Sequence, residues 1–358
     1  MSIPVLPPIQ LDGIDFRFNE MKASQYGGLT NFCGWKEILL RQSGGRRDVM
    51  LPPNTKSIVG TVAHNVLEQV LRGNICDAAG FDEAWAQQLA SRLEKLQTDY
   101  PWLKVQTPLE DYEKKYRTKL MAERVWQRRS SRQGTTTVPE GEYKIPGLTG
   151  RIDLVIRRDQ WTAIVDYKTG TITTGNGEIK PAFVIQLKLY ALLYQKQTGQ
   201  IVSKLNLLNL ADERFEVPFT QEELEPLYEQ VLAKSASLNE FIDAGDFSAL
   251  ANLEEETCRF CQLRPLCDHY WQSAIKNTSD FEGSFREVKE AFDKSLLLVF
   301  DVAGERRLLR GLQGWTMDDF AGKEGMSLRV LNAWPSDKPE MTHLYNATAN
   351  TALFWSNA

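Results

Sequence analysis

The sequence predicts a mixed α/β fold: a sheet core flanked by helices, with a smaller β-rich unit behind it. Two alternating apolar runs, Leu148 to Ile156 and Trp161 to Tyr167, flank the polar turn Arg157-Arg158-Asp159-Gln160 and read as a β-hairpin. Around that hairpin the order is helix, three strands, helix, strand, which gives a mixed sheet with helices on its faces. After Ser279 the pattern changes to five short strand-like runs.

The chain has 358 residues, 42% of them hydrophobic, enough for a large core and more than one domain. No apolar run is long enough to span a membrane, and the opening MSIPVLPPIQ lacks the charged and apolar regions of a signal peptide. The expectation is a cytoplasmic protein with no membrane partner. Five cysteines, odd in number and clustered, suit a reducing compartment and a metal site better than a disulfide framework. The net charge of −5 argues against a general nucleic-acid binder, but the charge is uneven. Glu113 to Arg132 carries eight Lys or Arg against two Glu, whereas Asp212 to Glu256 carries thirteen acids against two bases. A basic stripe of this kind is either a solvated helix face or a phosphate-facing surface.

Residues 1–20 are Pro-rich and read as a tail. Ala23 to Leu40 reads as one short helix, or two broken at Gly27-Gly28, and delivers Cys33 among aromatic residues. Ser57 to Arg72 has apolar residues at 59, 62, 63, 66, 67, 70 and 71, an amphipathic helix with His64 at the edge of the stripe. Phe81 to Leu96 and the basic Leu109 to Arg132 read as further helices, and Val138 to Lys144 as a strand ahead of the hairpin. Pro181 suits the first turn of a helix, Ala182 to Gln197, on which Gln186, Tyr190 and Tyr194 recur every four residues and share a face. Lys204 to Leu210 reads as a strand and Thr220 to Ala244 as an acidic helix. The last five runs are Phe281 to Ala291, Lys294 to Val302, Glu305 to Leu312, Met326 to Ala333 and Thr342 to Trp355, with a helical Met317 to Ala321 between the third and fourth. That order suggests a small closed barrel of the OB type over residues 279–358, and the rival is a β-rich packing extension.

The chemistry concentrates in two places. Asp166 and Lys168 are two apart on a strand and so share a face, with Asp153 on the neighbouring strand. Carboxylates and an ammonium at a strand end can gather a divalent cation and hold positive charge beside an attacked phosphate. The competing explanation is an ion pair on a surface hairpin. The second place is Cys258-Arg-Phe-Cys261-Gln-Leu-Arg-Pro-Leu-Cys267, three thiols within ten residues. Exposed thiols so close invite oxidation unless a metal holds them, and a fourth ligand must come from Cys33, Cys76 or His269.

Together these residues resemble the PD-(D/E)xK phosphodiesterases, and within them the RecB-like nucleases that carry an iron-sulfur cluster. The resemblance rests on Gly60-Thr-Val-Ala-His64, Gly150-Arg-Ile-Asp153, Asp166-Tyr-Lys168, Gln186-Leu-Lys-Leu-Tyr190, and one early cysteine paired with the late C-x2-C-x5-C. It implies a restriction-endonuclease-like domain over residues 21–275, closed by a four-cysteine cluster. It also implies that His64, Asp153, Asp166 and the carbonyl of Tyr167 ligate Mg²⁺ or Mn²⁺, and that Lys168 positions the attacking water. By the same resemblance Gln186 and Tyr190 lie near the scissile strand, and Cys33, Cys258, Cys261 and Cys267 bind a [4Fe-4S] cluster. A structural Zn²⁺ is the alternative occupant of four thiols. Ile152 stands where the motif has proline, and either Glu140 or Glu142 fills the place of the family's strand glutamate. No G-x-x-x-x-G-K-[ST] run is present, so the chain has no ATP motor of its own. The expected activity is therefore cleavage of single-stranded DNA or DNA ends opened by others, with a helicase or other repair protein as partner. A catalytically silent DNA-binding module with the same fold is the competing function.

Overall fold

The computed structural model describes residues 2–26, 32–103, 111–129, 136–158 and 161–356. Strand β1 (Met21–Lys22) and helices α1 (Ala23–Tyr26) and α2 (Trp35–Gln42) precede three long helices, α3 (Thr55–Arg72), α4 (Ala78–Asp99) and α5 (Tyr112–Arg129). The proposed break at Gly27-Gly28 lies outside the described residues. Asn54 caps α3 by accepting a hydrogen bond from the Ser57 amide at 2.8 Å, and Gly73, at φ +87°, ends it in the left-handed region.

Strands β2 (Thr136–Ile145), β3 (Leu148–Arg158) and β4 (Trp161–Lys168) follow, then α6 (Pro181–Thr198), β5 (Lys204–Asn209) and β6 (Arg214–Val217). In this sheet β3 pairs antiparallel with β2 from Leu148 to Arg157 and with β4 from Leu154 to Arg158, while β1 joins it in parallel at Leu148. β4 and β5 are parallel, and α6 is the crossover that a parallel pair requires. β6 adds an antiparallel edge. The four-residue segment Arg-Phe-Glu-Val is too short and too polar to announce itself in the sequence. Leu67 of α3 and Met121 of α5 cover one face of the sheet against Leu154, Val165 and Tyr167, and Leu187 and Leu189 of α6 belong to the core with Val155, Ile164 and Leu205.

The acidic segment begins with a 3₁₀ turn, Gln221–Glu223, before α7 (Leu224–Asp243). Two short helices, α8 (Glu255–Arg259) and α9 (Asp268–Gln272), bracket the cysteine-rich turn. The C-terminal strands are β7 (Phe281–Glu290), β8 (Leu296–Val302), β9 (Glu305–Leu312), β10 (Ser327–Leu331), β11 (Trp334–Pro335), β12 (Leu344–Asn346) and β13 (Ala352–Ser356). Where the sequence predicts one run from Thr342 to Trp355, a turn closed by Thr351 N–H to the Thr348 carbonyl divides β12 from β13. The sheet order is β11-β12-β9-β8-β7-β10-β13. Only Asn332 and Ala333 separate β10 from β11, and Asn332 has φ +59°. The chain therefore turns a corner there, and one continuous segment touches both β7 and β12.

The largest buried cluster spans both halves, from Ile152 and Leu187 to Phe285 and Trp355. The N-terminal segment is irregular, as its prolines dictate, yet it packs: Ile3, Leu6, Phe16 and Phe18 are buried. Its backbone bridges β13, with Leu6 N–H to the Trp355 carbonyl at 2.8 Å and Trp355 N–H to the Pro4 carbonyl at 2.9 Å. No helix among the described residues is long and apolar enough to cross a membrane.

Candidate active site and cysteine cluster

Pairing between β3 and β4 ends at Leu154 and Val165, so the next residues outward are Asp153 and Asp166. At this splayed end Asp153 Oδ2 accepts the Tyr167 amide at 2.8 Å, which replaces a ladder hydrogen bond and fixes the carboxylate against β4. Lys168 Nζ lies 2.8 Å from Asp166 Oδ2, an ion pair, and donates to Gln186 Oε1 at 3.0 Å. Gln186 Nε2 in turn donates to the Tyr190 hydroxyl at 2.7 Å. The helical spacing of four on α6 is what lets Gln186 and Tyr190 act as one relay to the lysine.

His64 reaches the same place from α3, its Nδ1 3.6 Å from Asp153 Oδ2. Gly60, one turn earlier, permits that approach: a Cβ there would stand 2.7 Å from Thr169 Oγ1, immediately after Lys168. Gly150 does the same for α6, since a Cβ on it would come within 2.8 Å of Tyr190 and Leu193. His64, Asp153, Asp166, Tyr167, Lys168, Gln186 and Tyr190, all selected from the sequence, are thus gathered by four elements, α3, β3, β4 and α6. One participant was not foreseen: Phe183 lies under the ammonium of Lys168, 4.5 Å from nitrogen to ring centroid. Nothing in the spacing of α6 marks that phenylalanine.

The electrostatics are those of a crowded anionic pocket. Burial, and then the Asp166 charge, push the Asp153 carboxyl up to about 8. Burial lowers His64 below its ordinary value, so its imidazole is neutral near pH 7 and free to offer a lone pair. Burial, then Asp166, raises the Tyr190 phenol, keeping it a hydrogen-bond donor.

Among the described residues no three His, Cys, Asp or Glu side chains are disposed to grip one metal ion as they stand. Asp166 is paired with the Lys168 ammonium, and Asp153 is held by the Tyr167 amide. The donor set nonetheless fits a hard divalent ion, because it consists of two carboxylates and a neutral imidazole. Asp166 Oδ2 is buried and makes no hydrogen bond among the described residues, so an ion would satisfy an atom that the ion pair leaves incomplete. In β2, Gly141 pairs with Ile152 and Glu142 with Arg151, which puts Glu140 at the register position of Asp153.

The four thiols selected from the sequence also converge, although Cys33 lies more than two hundred residues before the others. Burial raises Cys258 to about 11, with Cys261 and Cys33 adding to it, and raises Cys267 to about 12, with Cys261, Cys33 and Cys258 adding to it. Cys33 also acts on Cys261, so the early cysteine is a neighbour of all three late ones. None forms a disulfide. Asn252 ties the group together, its amide facing Cys33 Sγ at 3.5 Å and its carbonyl accepting from Cys258 Sγ at 3.9 Å. Four cysteines are the ligand number of a cubane as well as of a tetrahedral zinc site. His269 packs edge-on against Trp35, and Cys76 is exposed and bonds the Gly73 carbonyl.

A sheet with one parallel crossover, carrying two aspartates and a lysine at a splayed strand end, defines a class of α/β proteins that present acids and a cation together. Residues 39–268 match the family model of the PD-(D/E)XK nuclease superfamily, and the chain belongs to that superfamily. Likenesses among solved structures are distant. A candidate exonuclease from Eubacterium rectale shares 13% identity at a TM-score of 0.35, over 67% of this chain and 87% of that one. A protein named SSO0001 shares 16% at 0.25, over 49% and 80%. A murine DNA-binding protein bound to double-stranded DNA shares 6% at 0.20, over 62% and 95%. Overlaps this weak carry no argument beyond the family match. No curated protein matches the sequence.

Proposed function

We propose that the chain is a metal-dependent DNA nuclease of the RecB-like, iron-sulfur type, cleaving phosphodiester bonds in single strands or at DNA ends during repair, recombination or defence. The observation that carries this is the meeting of Asp153, Asp166, Lys168 and His64 at one strand end, served by Gln186 and Tyr190. His64, Asp153, Asp166 and the Tyr167 carbonyl would hold Mg²⁺ or Mn²⁺. Such an ion supplies Lewis-acid polarisation of the phosphate and lowers the pKa of bound water. Lys168, oriented by Gln186 and resting on Phe183, directs its ammonium at the attacked phosphate and steadies the charge that develops there. Tyr190 holds Gln186 in the orientation that presents its oxygen to the lysine.

Cys33, Cys258, Cys261 and Cys267 would carry a [4Fe-4S] cluster as a clip between the ends of the nuclease domain. The proposal extends to an OB-like C-terminal barrel. It is supported by the β7-β8-β9 meander, the parallel pairing of β12 with β9, the turn between β9 and β10, and the corner at Asn332. Without a P-loop sequence, the strand to be cut is opened by a partner such as a helicase.

The test is cleavage of single-stranded, duplex and flapped DNA with Mg²⁺ or Mn²⁺, comparing wild type with Lys168→Ala. Loss of cleavage by at least about 100-fold with an unchanged far-UV spectrum is expected. Wild-type rates in the variant would overturn the assignment, and DNA binding without turnover in either metal would favour the silent module.

A further inference from the structure

The outer face of the C-terminal sheet holds a row of residues fixed by register alone. Trp334 of β11 pairs with Asn346 of β12, and Asn346 pairs with Arg310 of β9. The next partner of β9 is β8, where a bulge at Gly311, φ +75°, sets Arg310 and Gly311 opposite Leu297, and Leu297 pairs with Lys289 of β7. Cross-strand partners share a face. The alternate residues Leu298, Leu309 and Tyr345 are buried, so this row points outward. Trp334 is 62% exposed, and its ring meets no aromatic ring or cation among the described residues. Phe292, at the tip of the β7–β8 hairpin just past Lys289, is fully exposed.

Exposed tryptophan and phenylalanine cost solubility and, here, add nothing to the core. Between them stands a guanidinium held by an amide instead of an acid: Arg310 Nε donates to Asn346 Oδ1 at 2.7 Å, and no carboxylate lies within ion-pair distance among the described residues. Its charge is oriented yet uncompensated. Lys289 adds a second cation, shared with Glu287 at 3.1 Å. Strands stand ~4.8 Å apart, so the row from β11 to β7 covers about 19 Å, the reach of a few nucleotides of extended single strand.

We infer that this strip binds unpaired DNA, with Trp334 and Phe292 stacking on bases at either end and Arg310 and Lys289 meeting the phosphates between them. Two π-faces separated by cations match a flexible polyanion with exposed bases. They do not match a duplex, whose bases are stacked away. The inference rests on the nuclease reading for its substrate but concerns a surface distinct from the catalytic residues.

The test is the affinity of the full-length protein for fluorescent oligo-dT in EDTA, where no cleavage occurs, alongside cleavage of the same strand with Mg²⁺. Trp334→Ala and Arg310→Ala are expected to weaken binding about ten-fold each, with Trp334→Phe retaining most of it, and to leave binding of a blunt duplex unchanged. Quenching of tryptophan fluorescence on titration should shrink in Trp334→Ala. If wild type cleaves DNA while both alanine variants bind oligo-dT as wild type does, the strip is overturned and the nuclease reading stands. If the same variants instead change the sedimentation coefficient with no effect on oligo-dT, the strip is a contact between copies and the inference falls. Wild type that neither binds nor cleaves any strand removes the nuclease reading itself.

Discussion

Asp153 shows how a site can be built against the fold's own interest. Its carboxyl is pushed up to about 8 by burial and by Asp166, against about 3.8 in an unfolded chain. The unfolded state therefore releases this proton near pH 4 while the folded state keeps it until about pH 8. Metal-free protein loses stability as pH rises through that window. Asp153→Asn should remove the slope: thermal denaturation in EDTA at pH 8 is expected to show the variant more stable by about 1–3 kcal/mol, with the gap narrowing towards pH 5. The same variant should lose cleavage. A wild-type protein whose melting temperature stays flat over that range would show that the carboxylate is already ionised. Metal affinity in wild type should rise with pH over the same interval, because an ion must displace that proton.

At the scale of elements, the cysteine turn is bolted to the C-terminal sheet by two arginines. Arg264, between Cys261 and Cys267, is buried and donates to Asp280 Oδ2 at 2.7 Å and to Asn332 Oδ1 at 2.8 Å, while Tyr270 donates to the same Asp280 oxygen at 2.8 Å. Arg329 of β10 reaches back to the Pro265 carbonyl at 2.7 Å and to Asp268 at 2.8 Å. Arg264→Ala would strand Asp280 as an unpaired buried charge, and denaturant unfolding is expected to show a loss of about 3–5 kcal/mol. A loss below about 1 kcal/mol would mean that the hydroxyls of Tyr270 and Ser279 and the Asn332 amide, which also donate to Asp280, suffice to hold its carboxylate.

Elements with a strong period were legible in the sequence: the stripe of α3, the four-residue recurrence on α6 and the alternation of β3 and β4 all follow the structure. So did the grouping of the site residues, because their types and order carry chemistry. What escaped was whatever lacks a period. The polar four-residue β6 has no alternation to mark it, and β12 and β13 read as one run because Ala347 and Ala352 disguise the turn between them. Nor could composition separate the tryptophans: Trp315 and Trp355 are buried and Trp334 is exposed, a difference that only register decides.

For the whole molecule, a cluster held by cysteines from both ends of the nuclease domain, as proposed, would be a clasp on a very long loop. Anaerobic protein is expected to be brown and to bleach on reduction, and Cys267→Ser to be pale and to melt several degrees lower. A colourless, iron-free wild type prepared without air would reject the cluster and leave zinc as the occupant. Because Arg264 and Arg329 grip the same turn, loss of the cluster should also increase proteolysis near residue 280.

The bridge between Pro4 and Leu6 on one side and Trp355 on the other has a mechanical corollary. Those two stretches run parallel, so tension applied before Pro4 and after Trp355 slides one past the other and loads both hydrogen bonds at once. Force transmitted through both ends together therefore meets this latch in shear, where two bonds share the load, instead of opening it one bond at a time.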